Sequence, residues 1–140
     1  MSENVTHRGS MVRFLGAGVA TVIAAVVANL IVRALLFALI DLPADFPPLQ
    51  ALRVAFLTVL GVGAAAVVFA VIARRSERPA RTFRRVAVVA FLLSIVPNLA
   101  LAINPSAAPF ANASAMGFLI LIVFHVVAAV ITVLMLPRLT

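Results

Sequence analysis

Arg74-Arg75-Ser76-Glu77-Arg78-Pro79-Ala80-Arg81-Thr82-Phe83-Arg84-Arg85 places six arginines and one glutamate within twelve residues, with a long apolar run on either side. In a water-soluble chain such a stretch would suggest a nucleic-acid patch. Between apolar runs it is the mark of a cytoplasmic loop of a membrane protein, because basic loops are retained on that side. The remaining segments are located by their distance from this loop, taken as residues 74–85.

The composition agrees. The 140 residues are 65% hydrophobic and only 11% charged, with a mean hydropathy of +1.24. Soluble domains are about 45–50% apolar and about 25% charged, so the excess here calls for lipid as the solvent. The length suits a single membrane domain. The net charge of +7 is carried by arginine, with no lysine in the chain, which reads as the coding bias of a high-GC bacterium. There is no cysteine, which excludes disulfides, cysteine-ligated metals and thiol redox chemistry. Tryptophan and tyrosine are also absent, so phenylalanine is the remaining aromatic anchor for the interface.

Upstream of the loop, a helix is expected over about 49–73, with 20 uncharged residues from Val54 to Ala73 and small contacts at Gly61, Gly63, Ala65, Ala66 and Ala70. It is preceded by the breaker Asp41-Leu42-Pro43-Ala44-Asp45-Phe46-Pro47-Pro48; its prolines lack the N–H that a helix needs. Before that, a helix is expected over about 12–40. Its 19 uncharged residues, Phe14–Val32, nearly match the roughly 20 needed to cross a bilayer core. They exceed the roughly 7–15 of a cleavable signal. Gly16, Ala20, Ala24 and Ala28 form a small-residue stripe that admits a neighbouring helix. Ala17, Thr21, Ala25, Asn29 and Arg33 form a second, more polar stripe beside it. Residues 1–10 read as a polar cytoplasmic tail, with His7 solvated.

Downstream, a third helix is expected over about 86–104, where Ala90, Ser94, Asn98 and Ala102 share a face. Pro97 should kink it and free the carbonyl of Leu93, for Ser94, a water or a neighbouring helix to satisfy. The breaker Asn104–Asn112 separates it from a fourth helix over about 113–136, whose one strongly polar side chain is His125. Four crossings return both termini to the side of the arginine loop. Nine arginines (8, 13, 74, 75, 78, 81, 84, 85 and 138) then fall on the cytoplasmic side against Arg33 and Arg53 outside, as the positive-inside rule requires. The expected fold is an all-α, four-transmembrane-helix bundle made of two hairpins.

Counting from the cytoplasmic ends at about 1.5 Å per residue puts His125 roughly 18 Å deep, Asn98 roughly 20 Å, Asn29 roughly 24 Å and Arg33 roughly 30 Å. His125, Asn98 and Asn29 can therefore form a polar layer facing the bundle interior, with Arg33 above it, since each is costly facing lipid. Two readings of the layer remain open. One is interhelical hydrogen bonding alone, and the other is contact with a ligand. Arg33 and Arg53 can also snorkel outward and pair with Asp41 or Asp45. Arg74, Arg75, Arg78, Arg81, Arg84 and Arg85 are expected to meet anionic lipid headgroups. No aromatic interleaving accompanies them, which argues against nucleic acid.

No phosphate-binding loop is present, because Gly16-Ala17-Gly18 and Gly61-Val62-Gly63 lie inside apolar helices. No carboxylate lies within a predicted span to carry protons. One buried histidine does not make a zinc site, and a bis-histidine haem would need a second from another chain.

Ala28-Asn29, Arg81-Thr82-Phe83-Arg84-Arg85 leading into Leu92-Leu93-Ser94-Ile95-Val96-Pro97, and Phe124-His125-Val126-Val127-Ala128-Ala129 together resemble a family of small bacterial four-helix membrane proteins known only as a domain of unknown function. The resemblance implies four helices and a recurrent histidine in the last, and it implies no activity. The leading functional expectation is a non-enzymatic membrane module, without a cofactor. It would be an accessory subunit or a homo-oligomer that meets another membrane protein, or itself, through its small-residue stripes. The alternative is a site for a quinone, haem or pigment at His125 and Asn98, helped by Asn29 and Arg33.

Overall fold

A computed structural model describes residues 3–42, 45–109 and 112–140, with side chains from residue 11 onward. Pro43, Ala44, Phe110 and Ala111 of the two breakers lie outside the described residues, as do the side chains of His7 and Arg8. The described chain is helical, without strands. Its elements are α1 (Glu3–Leu39), α2 (Ala51–Arg75), α3 (Pro79–Ile103) and α4 (Ala115–Leu139), with short 3-10 turns at Pro47–Leu49 and Pro105–Ala107. All four helices are long and apolar enough to cross a membrane, α1 over Met11–Leu39. At 25 residues, α2, α3 and α4 are each about 37 Å long, which exceeds the roughly 30 Å hydrocarbon core and carries their ends into the headgroup region.

The helix ends differ from the sequence expectation at the basic end. Most of the stretch 74–85 is helix rather than loop, and only Ser76, Glu77 and Arg78 are non-helical. Arginine is a good helix former, so nothing stops α2 before Arg75. Pro79 stands at the first position of α3, where its missing N–H is harmless. The turn closes on itself: the Ser76 N–H donates to the Ile72 carbonyl at 2.9 Å, and the hydroxyls of Ser76 and Thr82 share a hydrogen bond of 3.0 Å. Residues 3–10, expected as a tail, continue α1. At the other end Ser114 caps α4, its hydroxyl accepting the Gly117 N–H at 3.1 Å.

Helix α1 packs along α2 and α4, and α4 packs along α3, while α2 touches α3 and α4 over much shorter lengths. Two apolar clusters hold the bundle at its ends. At the basic end Phe69 of α2 meets Phe83 of α3 edge to face at 4.9 Å, with Phe14 of α1 and Leu136 of α4 against them, so all four helices are joined there. At the other end Phe46 inserts from the first connection, fully buried, and meets Phe118 of α4 edge to face at 5.2 Å. Leu42, Leu49, Val54 and Phe124 complete that cluster. In lipid these contacts stabilise by close packing rather than by escape from water.

The outer surface is apolar, with Leu15, Ile23, Leu60, Leu93 and Leu134 among many exposed large side chains. The accessible surface is 8930 Å², against about 6,900 Å² for a soluble monomer of this mass. Such an extended apolar exterior is stable only in an apolar medium.

Of the two stripes on α1, the second is the packed one. Ala17, Thr21, Ala25 and Asn29 are buried, whereas Gly16 and Ala20 are exposed. The two stripes lie about 100° apart on the helix, and only one can face the α2–α4 seam. Helix α3 runs unbroken through Pro97. Ser94, one expected partner for the Leu93 carbonyl, instead donates to the Phe91 carbonyl at 2.7 Å. At three residues' separation that carbonyl is within reach of a serine hydroxyl.

Candidate functional site

Between the two end clusters α2 and α3 separate around a cavity of about 300 Å³ whose walls come from all four helices. Gly61 on α2 and Ala90 on α3 line it and are exposed, so its mouth opens sideways between these helices. Its polar lining is Asn29, Thr58, Ser94, His125 and Thr132.

The three hydroxyls are satisfied within their own helices. Thr58 donates to the Val54 carbonyl, Ser94 to that of Phe91 and Thr132 to that of Ala128, each at 2.7 Å. Back-bonding of this kind lets a hydroxyl sit at membrane depth without a partner helix. Asn29, 1% exposed, reaches across to α2, where its Nδ2 donates to the Thr58 hydroxyl oxygen at 2.9 Å.

This contact also orients the amide. The Val54 carbonyl can only accept, so the Thr58 proton is committed to it and the hydroxyl must accept from Asn29. The nitrogen of Asn29 therefore faces Thr58. Its Oδ1 is left buried with no partner among the described residues, an exception to the rule that buried polar atoms are paired.

A parallel argument sets the histidine. Nδ1 of His125 lies 2.7 Å from the Leu121 carbonyl, which can only accept, so in the neutral ring Nδ1 carries the proton and Nε2 presents a lone pair. Among the described residues no other hydrogen bond involves this ring.

Of the residues singled out in the sequence, Asn29 and His125 thus come together on one cavity. Asn98 does not line it; its Nδ2 turns back to the Ser94 carbonyl at 3.2 Å. Arg33 also lies off the lining, donating from Nε to the Leu49 carbonyl at 2.6 Å with its guanidinium 4.3 Å above the Phe37 ring. In place of an aspartate, it ties α1 to the 3-10 turn ahead of α2. Arg53 and the six arginines 74, 75, 78, 81, 84 and 85 are exposed.

Three cavity residues, Thr58, Ser94 and Thr132, were not singled out as site candidates. For Thr58 the available signal is its place in the apolar row Val54, Thr58, Val62 and Phe69, all buried on one face of α2. Among the described residues no cluster of three metal-ligating side chains forms. What remains is an apolar pocket with a few convergent polar groups, the usual form of a small-molecule site.

The fold and cavity define the class: a multi-pass helical membrane protein with a side-opening chamber between its two end clusters. A family model described as a family of unknown function, DUF6069, matches residues 9–140, and the chain belongs to that family. No curated protein and no solved structure matches the chain.

Proposed function

We propose that this chain is a non-enzymatic protein of the bacterial cytoplasmic membrane, with both termini cytoplasmic, that holds a small apolar ligand drawn laterally from the bilayer. The orientation rests on the arginine count, nine near the basic end against two near the other. The binding reading rests on one observation: buried Asn29, whose Oδ1 has no partner among the described residues, lines a cavity large enough for a ligand. An unpaired buried oxygen of this kind costs about 1–3 kcal/mol unless something fills it. At about 300 Å³ the chamber is at the lower end of ligand pockets, which favours a single-ring head over a porphyrin.

The test is native mass spectrometry of protein extracted in mild detergent, compared with a Gly61→Phe variant that blocks the mouth. Nothing lies within 4 Å of a Cβ built at Gly61, so the helix tolerates a side chain there. The expected result is a retained small molecule in the parent protein that is lost from a folded variant. Equal retention in both would refute the cavity as its seat.

A second reading, an accessory subunit or homo-oligomeric module, is favoured by the small-residue stripe that the fold leaves unused. Gly16 and Ala20 are exposed, and no atom lies within 4 Å of a Cβ at Gly16. Cross-linking through Ala20→Cys in native membranes tests it. A dimer band, or an adduct with another membrane protein, is expected on this reading, and monomer alone would count against it.

A further inference from the structure

The hydrogen-bond inventory of the cavity is one-sided. The protons of Thr58, Ser94, Thr132 and His125 Nδ1 are all committed to main-chain carbonyls. One N–H of Asn29 is committed to Thr58, which leaves that amide a single further N–H as the donor among these polar groups. Lone pairs, by contrast, are plentiful. The Oδ1 of Asn29 on α1 and, in the neutral ring, the Nε2 of His125 on α4 have no hydrogen-bond partner among the described residues, and both residues line the same chamber.

We infer that the chamber selects ligands that donate hydrogen bonds, and that its occupant is a hydroquinone-type aromatic ring with two hydroxyls rather than the corresponding quinone. This rests on the ligand-binding reading above and adds the chemical class to it. Two hydroxyls supply protons to two acceptors on the neighbouring helices α1 and α4, and Phe91 and Phe124 supply aromatic walls. A quinone has the same shape and carries two acceptors. Placed here it would set lone pairs against lone pairs and leave Asn29 Oδ1 unpaired. A site whose buried groups need a partner rejects the analogue that lacks it. No electron transfer is involved; the selection is between two redox forms of one ring by their protons.

The experiment measures equilibrium binding of three probes to the full chain in nanodiscs: tetramethylhydroquinone kept reduced under argon, tetramethylbenzoquinone, and dioctanoylglycerol as an aliphatic lipid alcohol. Hydroquinone should bind at least about tenfold more tightly than the quinone, the size expected from one or two hydrogen bonds. It should also bind more tightly than the glycerol lipid. Asn29→Leu and His125→Phe should each weaken the hydroquinone while leaving the quinone unchanged, and either variant suffices if the other does not fold. Equal or tighter binding of the quinone, with both probes excluded by Gly61→Phe, would overturn the donor requirement and leave the cavity reading standing. Tighter binding of dioctanoylglycerol would overturn the aromatic ring. Absence of all binding, or binding unchanged in Gly61→Phe, would overturn both this inference and the reading beneath it.

Discussion

Asn29 on α1 and Thr58 on α2 are joined by one hydrogen bond of 2.9 Å, and the threonine is the acceptor in it. Their roles are therefore unequal. Thr58→Val strips the asparagine of its one partner and leaves a whole amide buried and unpaired. Asn29→Leu removes the same bond and the unpaired oxygen with it. Interhelical bonds in membranes average about 0.6 kcal/mol, while an unsatisfied buried group costs about 1–3 kcal/mol. Thr58→Val is expected to destabilise by about 1–3 kcal/mol and Asn29→Leu by less, or not at all. Reversible unfolding in mixed micelles measures both, and the opposite order would show that the amide is otherwise satisfied.

A second expectation concerns Gly117. A Cβ there would lie 2.7 Å from two carbon atoms of the Phe46 ring, which is fully buried and packed edge to face with Phe118. The ring has no room to retreat. Gly117→Ala should lower stability by about 1–3 kcal/mol, the usual effect of overpacking. Gly61→Ala meets nothing and should be neutral, or stabilising by up to about 1 kcal/mol from helix propensity. Thermal midpoints in detergent decide it. Equal midpoints for the two variants would mean that Phe46 does not seat against α4.

The proposed orientation is tested with single cysteines, for which the cysteine-free chain is a clean background. Glu77 and Asp45 are both exposed, at opposite ends of the bundle. Glu77→Cys in intact spheroplasts should resist a membrane-impermeant maleimide until the membrane is opened, and Asp45→Cys should react at once. The reverse pattern would invert the topology.

These residues also show what the linear sequence could carry. The four spans were legible because uncharged runs of 19 or 20 residues have one use. The ends were less so: the arginine stretch reads as a loop by charge, yet arginine propagates helix, and only Ser76, Glu77 and Arg78 interrupt it. Depth could be counted and azimuth could not. Asn98 and His125 fall at similar depth by residue count, but Asn98 donates to the Ser94 carbonyl and does not line the cavity. Two small-residue stripes on α1 were equally good by spacing, and only the arrangement of α2 and α4 selects Ala17, Thr21, Ala25 and Asn29. The insertion of Phe46 had no local signal, since a phenylalanine in a proline-rich breaker looks like any other connection residue.

The most direct test is nitrogen NMR of His125 in a His7→Gln background, where it is the sole histidine. At mildly alkaline pH the ring should be protonated at Nδ1 and bare at Nε2. Adding tetramethylhydroquinone should move the Nε2 resonance as that nitrogen accepts a hydrogen bond, while tetramethylbenzoquinone should leave it in place. A ring protonated at Nε2, or an Nε2 resonance indifferent to the hydroquinone, would contradict an acceptor-lined chamber.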